Sequence, residues 1–327
     1  MAVKVLSPGL ATTVQDRGRL GYYDIGIPPG GFLDQYCGEL ANALVGNVGG
    51  EALLEATYMG PALVTDAAVD AAVSGSVQVK VNGEERPTWT RLSLRPGDEL
   101  SFGLITGGAR FYIAFAGGID VPVALGSRST YPLGAMGGFQ GRKLEEGDTL
   151  PVGGPAGAPP RGSEIPEPFR PDFGRRQEVR VMLGLYDHRL SDEGLANLTT
   201  AEWTLTPVAD RAGLRYSGPG VRWRERRQPF GAGSDPSNIV DAGYAVGSIQ
   251  IPGGTQPIVL HRDAVSGGGY AMVATVISAD MDLVARAVPG TVTRFVPVTM
   301  REALAARHAR TAQLAAALGA LASPHRN

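Results

Sequence analysis

Apolar and polar residues alternate in short runs along most of this chain, and in only three places do they recur at helical spacing. Residues 2–6 (AVKVL) set small or apolar residues around Lys4 and read as an opening strand. Similar runs predict strands at 62–65, 71–81, 89–94, 99–105, 110–116 and 148–152. A second series begins near Gln177 with EVRVMLG and continues at 203–208, 221–224, 246–251, 257–260, 270–278 and 291–296. The helical exceptions are distinct. Leu33, Tyr36, Cys37, Leu40, Ala41, Leu44 and Val45 share one face of a helix ending near Gly46, with Asp34 in its first turn, where the helix dipole favours a carboxylate. Ser191 or Asp192 caps a short helix over 192–200. Thr299 and Glu302 make a capping box that opens an Ala/Leu-rich helix over 300–322. Its Met300, Leu304, Leu314 and Leu318 would pack on the domain or on a partner.

The turns between strands carry their own chemistry. Asn82-Gly83 tolerates the positive φ angles of a type I′ hairpin, and Pro96-Gly97, Gly147-Asp148 and Pro289-Gly290 set up comparable reversals. Short strands at this spacing describe a sandwich or barrel. Residues 153–176 lose all periodicity and are crowded with proline and glycine, the mark of a semi-rigid linker. The expected division is an N-terminal β domain over 1–152 holding a Gly-rich loop and a helix, the linker 153–176, a C-terminal β domain over 177–298, and a helix and tail over 299–327.

Composition narrows the class. The 327 residues suit two domains of roughly 150 residues each, and 43% hydrophobic content supplies a proper core. A formal net charge of −2 argues against nucleic acid as the main partner. No apolar run approaches the roughly 20 residues of a membrane helix, and the start MAVKVLSPGL is broken too early for a signal peptide. Cys37 is the single cysteine, which permits no internal disulfide and fits the cytoplasm. His188, His261, His308 and His325 are scattered without metal-ligand spacing, so no metal site is expected. There is no G-x-x-x-x-G-K-[ST] phosphate loop, no G-x-S-x-G elbow and no complete dinucleotide fingerprint.

Candidate chemistry gathers in loops. Between Thr12 and Glu55, a loop pinned by glycine and proline carries Gln15, Asp16, Arg17, Arg19, Tyr22, Tyr23 and Asp24, then runs into the helix with Asp34, Asn42 and Asn47. Polar groups this dense suit a small polar ligand, yet arginine and aspartate in such loops also pair simply to hold the loop's shape. Glu55 sits in an apolar run and needs a partner such as Arg19 or Arg128. A second Gly-rich loop, 117–142, offers Arg128, Ser129 and Thr130, a guanidinium fork with two hydroxyls suited to a carboxylate, carbamate or phosphate. Farther on stand Arg211, Arg215, Gln250, His261, Asp263, Ser266 and Tyr270; His261 is read either as an acid–base group or as a strand-end histidine with one structural hydrogen bond. The run 222–227 (RWRERR) reads as an exposed face.

In TTVQDRGRLGY, GIPPGGFLD, ELANALVGN, LLEATYMGP, GGIDVPVALGSRSTY and GGFQGRKLEEGD, and later in DRAGLR, GSIQIPGGTQPIVL, RDAVSGGGY and VPG, the chain resembles the biotin-dependent carboxyltransferase family. That family, also called allophanate hydrolase subunit 2, includes one of the subunits of bacterial 5-oxoprolinase, KipA-like proteins and part of urea carboxylase. The resemblance runs in collinear order to about residue 296. It implies a mostly β protein of two cyclophilin-like β-barrel domains with a few short helices and a C-terminal helix. It further implies a hetero-oligomer with a partner protein, subunit 1. The reaction would be 5-oxoprolinase-type ATP-dependent hydrolysis or biotin-dependent carboxyl transfer on an amide, lactam or urea-like molecule. No cofactor is expected to be tightly bound; ATP or carboxybiotin would enter through the partner complex. The alternative is a KipA-like regulator that binds a kinase-inhibitor partner without catalysis.

The resemblance carries Arg128, Asp34 and Asp263 forward as catalytic residues, and Gln15, Asp16, Arg19, Ser129, Thr130, Arg211, Gln250, Ser266 and Tyr270 as substrate-binding ones. Arg128 and Arg19 would hold a carboxylate or polarise a carbonyl; Asp34, Asp16 or Asp263 would relay a proton; Ser129 and Thr130 would position the substrate. The chain departs from the family's usual pattern at Gly30, Phe32, Val265, Gly267, Ala271 and Arg286.

Overall fold

The computed structural model describes residues 1–48, 50–155, 157, 159–161 and 163–322; His325 and the rest of the tail lie outside the described residues, as do 156, 158 and 162 of the proline-rich stretch. Two compact units emerge. One comprises Met1–Leu20, Gly30–Phe173 and the chain from Thr311; the other comprises Gly21–Pro29 and Gly174–Arg310.

The first unit is a nine-stranded antiparallel sheet. Its elements are β1 (Ala2–Ser7), β2 (Ala11–Gln15), α1 (Gln35–Leu44), β3 (Leu53–Thr57), β4 (Ala62–Thr65), β5 (Val69–Val81), β6 (Glu84–Arg86), β7 (Arg91–Leu94), β8 (Glu99–Phe115) and β9 (Thr149–Pro151). The order is β2-β3-β8-β4-β1-β9, with β5 also paired to β8 and carrying β6 and β7. The strands expected separately at 99–105 and 110–116 are one strand of 17 residues. The glycines between them bend the strand instead of ending it, because β5 follows through three irregularities between Ser74 and Val79. Phe111, Ile113 and Phe115 enter one core with Val3, Leu54 and Val73. Tyr112 and Ala114, on the opposite face, pack with Phe32, Tyr36, Leu40 and Leu44 around α1. Burial on both faces explains why this strand reads as a continuous apolar run.

Ser163 and Ile165, within the proline-rich stretch, bond to the rest of the first unit. Arg91 N donates to the Ser163 carbonyl at 2.7 Å and Ile165 N to the Trp89 carbonyl at 2.8 Å, while Ile165 is fully buried.

In the second unit, β10 (Arg176–Leu183), α2 (Asp192–Thr200), β11 (Trp203–Ala209), β12 (Gly213–Ser217), β13 (Asn238–Gly243), β14 (Ser248–Gln250), β15 (Ile258–Leu260), β16 (Gly267–Tyr270), β17 (Met272–Val276), α3 (Met281–Arg286) and β18 (Val292–Pro297) follow in order. Seven strands close a barrel in the order β10-β17-β14-β15-β12-β11-β18, sealed by the parallel pair β10–β18. Barrel closure is therefore seen in this unit, whereas the first unit is a branched sheet. β13 and β16 form a separate two-stranded ribbon. The strand expected at 221–224 reduces to a single bridge between Trp223 and Leu190, since Pro219 and Gly220 precede it and the run of arginines supplies no buried face. β12, β13 and β16 lie outside the strands that the pattern predicts; β16 is three-quarters glycine, and GLRYS is short.

Helix α4 (Met300–Ala322) starts with the expected capping box: Glu302 N donates to Thr299 Oγ1, and Thr299 N donates back to Glu302 at 2.7 Å. The bonds that Thr299 N and then Thr299 Oγ1 donate to it hold the Glu302 carboxyl below its usual range. Ala317 and Leu321 are buried and Leu314 packs beside them, while Met300, Leu304 and Leu318 stay exposed. The packing face thus differs from the expected one by a fraction of a turn. Among the described residues, no helix is long and apolar enough to cross a membrane.

Gly75 marks the bend in β5. Its φ is +125°, and a Cβ there would lie 2.5 Å from the Cβ of Phe111. We expect Gly75→Ala to cost about 2–4 kcal/mol through backbone strain and overlap, read as a lower urea midpoint. An unchanged midpoint would show that the bulge relaxes freely.

Candidate functional site

The predicted residues divide between the two units. In the first, β2 ends at Gln15, and the segment 127–130 lies across that end. Thr130 donates to the Val14 carbonyl through both N and Oγ1 at 2.9 Å, and buried Gln15 donates to Thr13 Oγ1 at 3.0 Å and to the Thr130 carbonyl at 3.2 Å. Asp16 is the hub. Its Oδ1 accepts from Gly18 N (2.7 Å), Ser127 Oγ (2.6 Å) and Ser129 Oγ (2.5 Å), and its Oδ2 from Arg128 N (2.5 Å). Asp16 N in turn donates to Ser129 Oγ at 3.0 Å. Four donors converge on one carboxylate in charge-assisted bonds, so this side chain organises a loop. The return of the loop passes so close that a Cβ at Gly138 (φ +54°) would lie 1.9 Å from Thr130 Oγ1. Arg19 is buried and donates to the Ser129 carbonyl.

Arg128 projects from this framework. Its Nε donates to the Val121 carbonyl at 2.8 Å and its Nη2 to Asp120 at 2.9 Å, with 37% of the side chain exposed. Such an exposed pair contributes roughly 0–1 kcal/mol, so a ligand can compete for the guanidinium at little cost.

Asp34 occupies a different place. It is the N-cap of α1, accepting from Cys37 N at 3.0 Å, and its own N donates to the Tyr112 hydroxyl at 2.8 Å. Tyr112 is fully buried beside Glu55 and Asp34; burial, then those two negative charges, push its phenol well above the usual range and keep it neutral. Glu55 accepts from Leu33 N at 2.8 Å and lies 3.7 Å from Arg110. Arg110 is thus an ion-pair partner of Glu55. The register explains why: Glu55 faces Tyr112 across β3–β8, and Arg110 is the diagonal neighbour on that face. Asn42 and Asn47 bond each other at 2.8 Å and tie the end of α1 to the Glu51 and Phe115 carbonyls.

In the second unit, Arg211 and Asp263 form a bidentate pair at 2.7 and 3.0 Å, both largely buried. His261 is fully buried; its Nδ1 accepts from Arg262 N at 2.9 Å and its Nε2 lies 3.4 Å from the Met281 carbonyl. Tyr270 lies on the ribbon and exchanges bonds with the Tyr244 hydroxyl at 2.8 and 2.9 Å. The Ser266 carbonyl accepts from Tyr244 N at 2.8 Å.

Four barrel strands run side by side here. Leu214, Val259, Ile249 and Ala274 are paired in register and line the barrel core. One residue along each strand, Arg215, Ile258 and Gln250 stand opposite one another on the outer face, with Met272 next. At about 4.8 Å per strand, Arg215 and Gln250 sit roughly 10 Å apart with Ile258 between them. Arg215 makes one long bond, 3.4 Å to Gln256. Gln250 Oε1 is buried with no hydrogen-bond partner among the described residues. Arg215 stands outside the set of site residues carried forward from the sequence; the signal that finds it is GLRYS read as a strand with Leu214 inward, which puts it on the face shared with Gln250. Among the described residues no group of three or more His, Cys, Asp or Glu is placed to hold a metal ion.

A closed barrel and a branched β sheet thus each bear an Arg/Asp-rich polar cluster. Comparison with known proteins gives the family. The chain belongs to the carboxyltransferase domain family, subdomains A and B, which it matches over residues 25–297. It is 32% identical to a 5-oxoprolinase subunit of Escherichia coli over 93% of this chain and 94% of that protein. It is 33% identical to urea amidolyase of Saccharomyces cerevisiae over 91% of this chain, but spans only 17% of that longer protein. The crystal structure of Kluyveromyces lactis urea carboxylase superposes with a TM-score of 0.91 at 32% identity, covering 97% of this chain and 29% of that one.

The capping geometry separates two roles for Asp34. Asparagine caps as well as aspartate, so Asp34→Asn should keep the stability near wild type, whereas Asp34→Ala should lose about 1–2 kcal/mol. If Asp34 relays a proton, Asp34→Asn instead abolishes turnover with an unchanged melting temperature, which a paired activity and unfolding measurement distinguishes.

Proposed function

We propose that this chain is the substrate-recognising subunit of a two-part enzyme acting on an amide, lactam or urea-like molecule. A partner protein, subunit 1, would contribute the activating chemistry. The observation that carries this reading is that Arg215 and the Gln250 side-chain oxygen, which has no hydrogen-bond partner among the described residues, stand two strands apart on one face of the second unit's barrel. An amide or urea group presents a carbonyl acceptor beside N–H donors. A guanidinium and an amide oxygen complement that pattern. Leaving the buried Gln250 oxygen unsatisfied costs about 1–3 kcal/mol, and an incoming N–H recovers it.

The chemistry follows from charge. When an amide carbonyl is attacked, or its nitrogen is carboxylated, electron density moves on the carbonyl oxygen, and a positioned guanidinium stabilises that change. Arg211 and Asp263 hold the chain next to this face through their closed pair. In the first unit, Arg128 is proposed to take a substrate carboxylate from a loop that Asp16 keeps in one conformation. The Arg215–Gln250 complement also fits the ureido group of biotin, and carboxybiotin, when bound, supplies an activated carboxyl group. ATP is assigned to the partner, since the sequence has no phosphate-binding loop of the G-x-x-x-x-G-K-[ST] type. The relatives named for 5-oxoprolinase and for urea carboxylase support both branches.

The test is reconstitution with subunit 1, followed by ATP-dependent cleavage of 5-oxoproline and biotin-dependent carboxylation of urea in parallel. In whichever reaction proceeds, Arg215→Ala and Gln250→Ala should each lower kcat/KM by about 5- to 150-fold with unchanged melting temperature. Wild-type kcat/KM in both variants would remove the assignment of this face.

A further inference from the structure

The most arginine-dense run of the chain, Arg222 to Arg227, has no part in the site above. Two of its arginines are already satisfied: Arg222 pairs with Glu193 at 3.2 Å and Arg224 with Asp192 at 2.7 Å. Arg226 and Arg227 make no salt bridge among the described residues; Arg226 Nε donates only to the neutral Gln228 Oε1 at 3.1 Å.

A second arginine from another part of the unit, Arg189, lies against this run: its carbonyl accepts from Arg224 N at 2.8 Å, and Leu190 bridges Trp223. Arg189, at the end of the one-turn helix Asp187–Arg189, lies over the Tyr186 ring with Cζ 4.5 Å from its centroid. Its Nη1 donates to the Asn238 carbonyl at 3.2 Å. Its Nε is buried with no hydrogen-bond partner, and no carboxylate bridges it among the described residues. Burial and then the positive charge of Arg226 hold the Arg189 guanidinium below its ordinary pKa. Two like charges within range of each other, without a counter-ion, are unfavourable until an anion joins them. The consecutive residues Arg226, Arg227, Gln228, Pro229 and Phe230 line an open surface hollow of about 530 Å³, and Phe230 is fully exposed.

We propose that Arg189 and Arg226 form an oxyanion site that takes the phosphate or carboxylate of a small organic anion, with Pro229 and Phe230 receiving its apolar body. Guanidinium forks suit either oxyanion, and stacking on Tyr186 leaves the edge of Arg189 able to donate in the ring plane. The exposed aromatic ring gives a reason for an organic anion over a bare inorganic one, because its burial against an apolar body is favourable.

Calorimetric titration at constant ionic strength tests this with phenyl phosphate, benzoate, inorganic phosphate and neutral benzyl alcohol. Saturable binding of phenyl phosphate or benzoate is expected, and the stronger of the two identifies the oxyanion. Arg226→Ala and Arg189→Lys should each weaken it about 10-fold or more. Phe230→Ala should weaken the aromatic anion but leave inorganic phosphate unchanged. Arg222→Ala, which removes the pair with Glu193, and Arg215→Ala should bind as wild type; the latter separates this site from the proposed substrate face. Arg226 lies on a surface loop, so its variant reports on binding even if Arg189→Lys is unstable. Equal weakening by Arg222→Ala and Arg226→Ala would reduce the effect to diffuse charge, and no saturable binding of either aromatic anion would overturn the site.

Discussion

The first unit's loop architecture depends on one carboxylate. Asp16 draws two backbone amides and two hydroxyls onto a single group, and those four donors come from both sides of the junction between β2 and the 127–130 segment. Everything around it is consistent with that constraint. Thr130 and Gln15 repeat the tie between the same two segments, and Arg19 reaches the Ser129 carbonyl. The glycines at 137 and 138 let the loop return against this knot where no side chain fits. A partly buried carboxylate is costly unless its lone pairs are filled. Here they are filled largely by residues more than 110 positions away in the chain, so the cost of leaving Asp16 unsatisfied enforces a long-range contact.

The same constraint sorts the other candidates. Asp34 directs its carboxylate at a helix terminus, and Asp263 is closed onto Arg211 through two bonds. Those groups are firmly held, and holding is what they contribute to the fold. Arg128, Arg215 and Gln250 are held less completely: one pairs with an exposed carboxylate, one makes a single long bond, and one has an unmatched oxygen. A ligand gains most from groups whose bonding capacity the protein has not filled. This is why the second unit's outer barrel face, and not the more heavily bonded aspartates, carries the functional proposal.

Much of the fold is legible in the sequence because local patterns and tertiary burial agree. The helix over 192–200, the capping box at Thr299, the Asn82-Gly83 turn and the strand Ala62–Thr65 all form where local chemistry puts them. The failures share a cause. Residues 106–109 look like a break, yet β8 runs through them because β5 supplies pairing from 30 or more residues away. β13 and β16 contain too little large side chain to show any periodicity, and β12 is too short. For the polar residues, residue type alone offers Glu55 the loop arginines, whereas register across β3–β8 delivers Arg110. Partner choice between charged residues is a tertiary property, and a linear pattern does not encode it.

Departures from the family pattern then divide by their surroundings. Phe32 is fully buried, meets Tyr112 edge-on with centroids 6.2 Å apart, and packs over Gly38, where a Cβ would come within 2.7 Å of its ring. Gly30 adopts a positive φ of 59° just before it. These two are matched to each other and to the α1 core, so their divergence concerns packing. Arg286 likewise turns back to the Asp282 carbonyl of its own helix at 3.1 Å. Val265 and Gly267 differ in kind. Val265 is 58% exposed just before the ribbon, and Gly267 removes a side chain from β16 itself. In the proposed reading the barrel face keeps Arg215 and Gln250, and neither is among the departing positions.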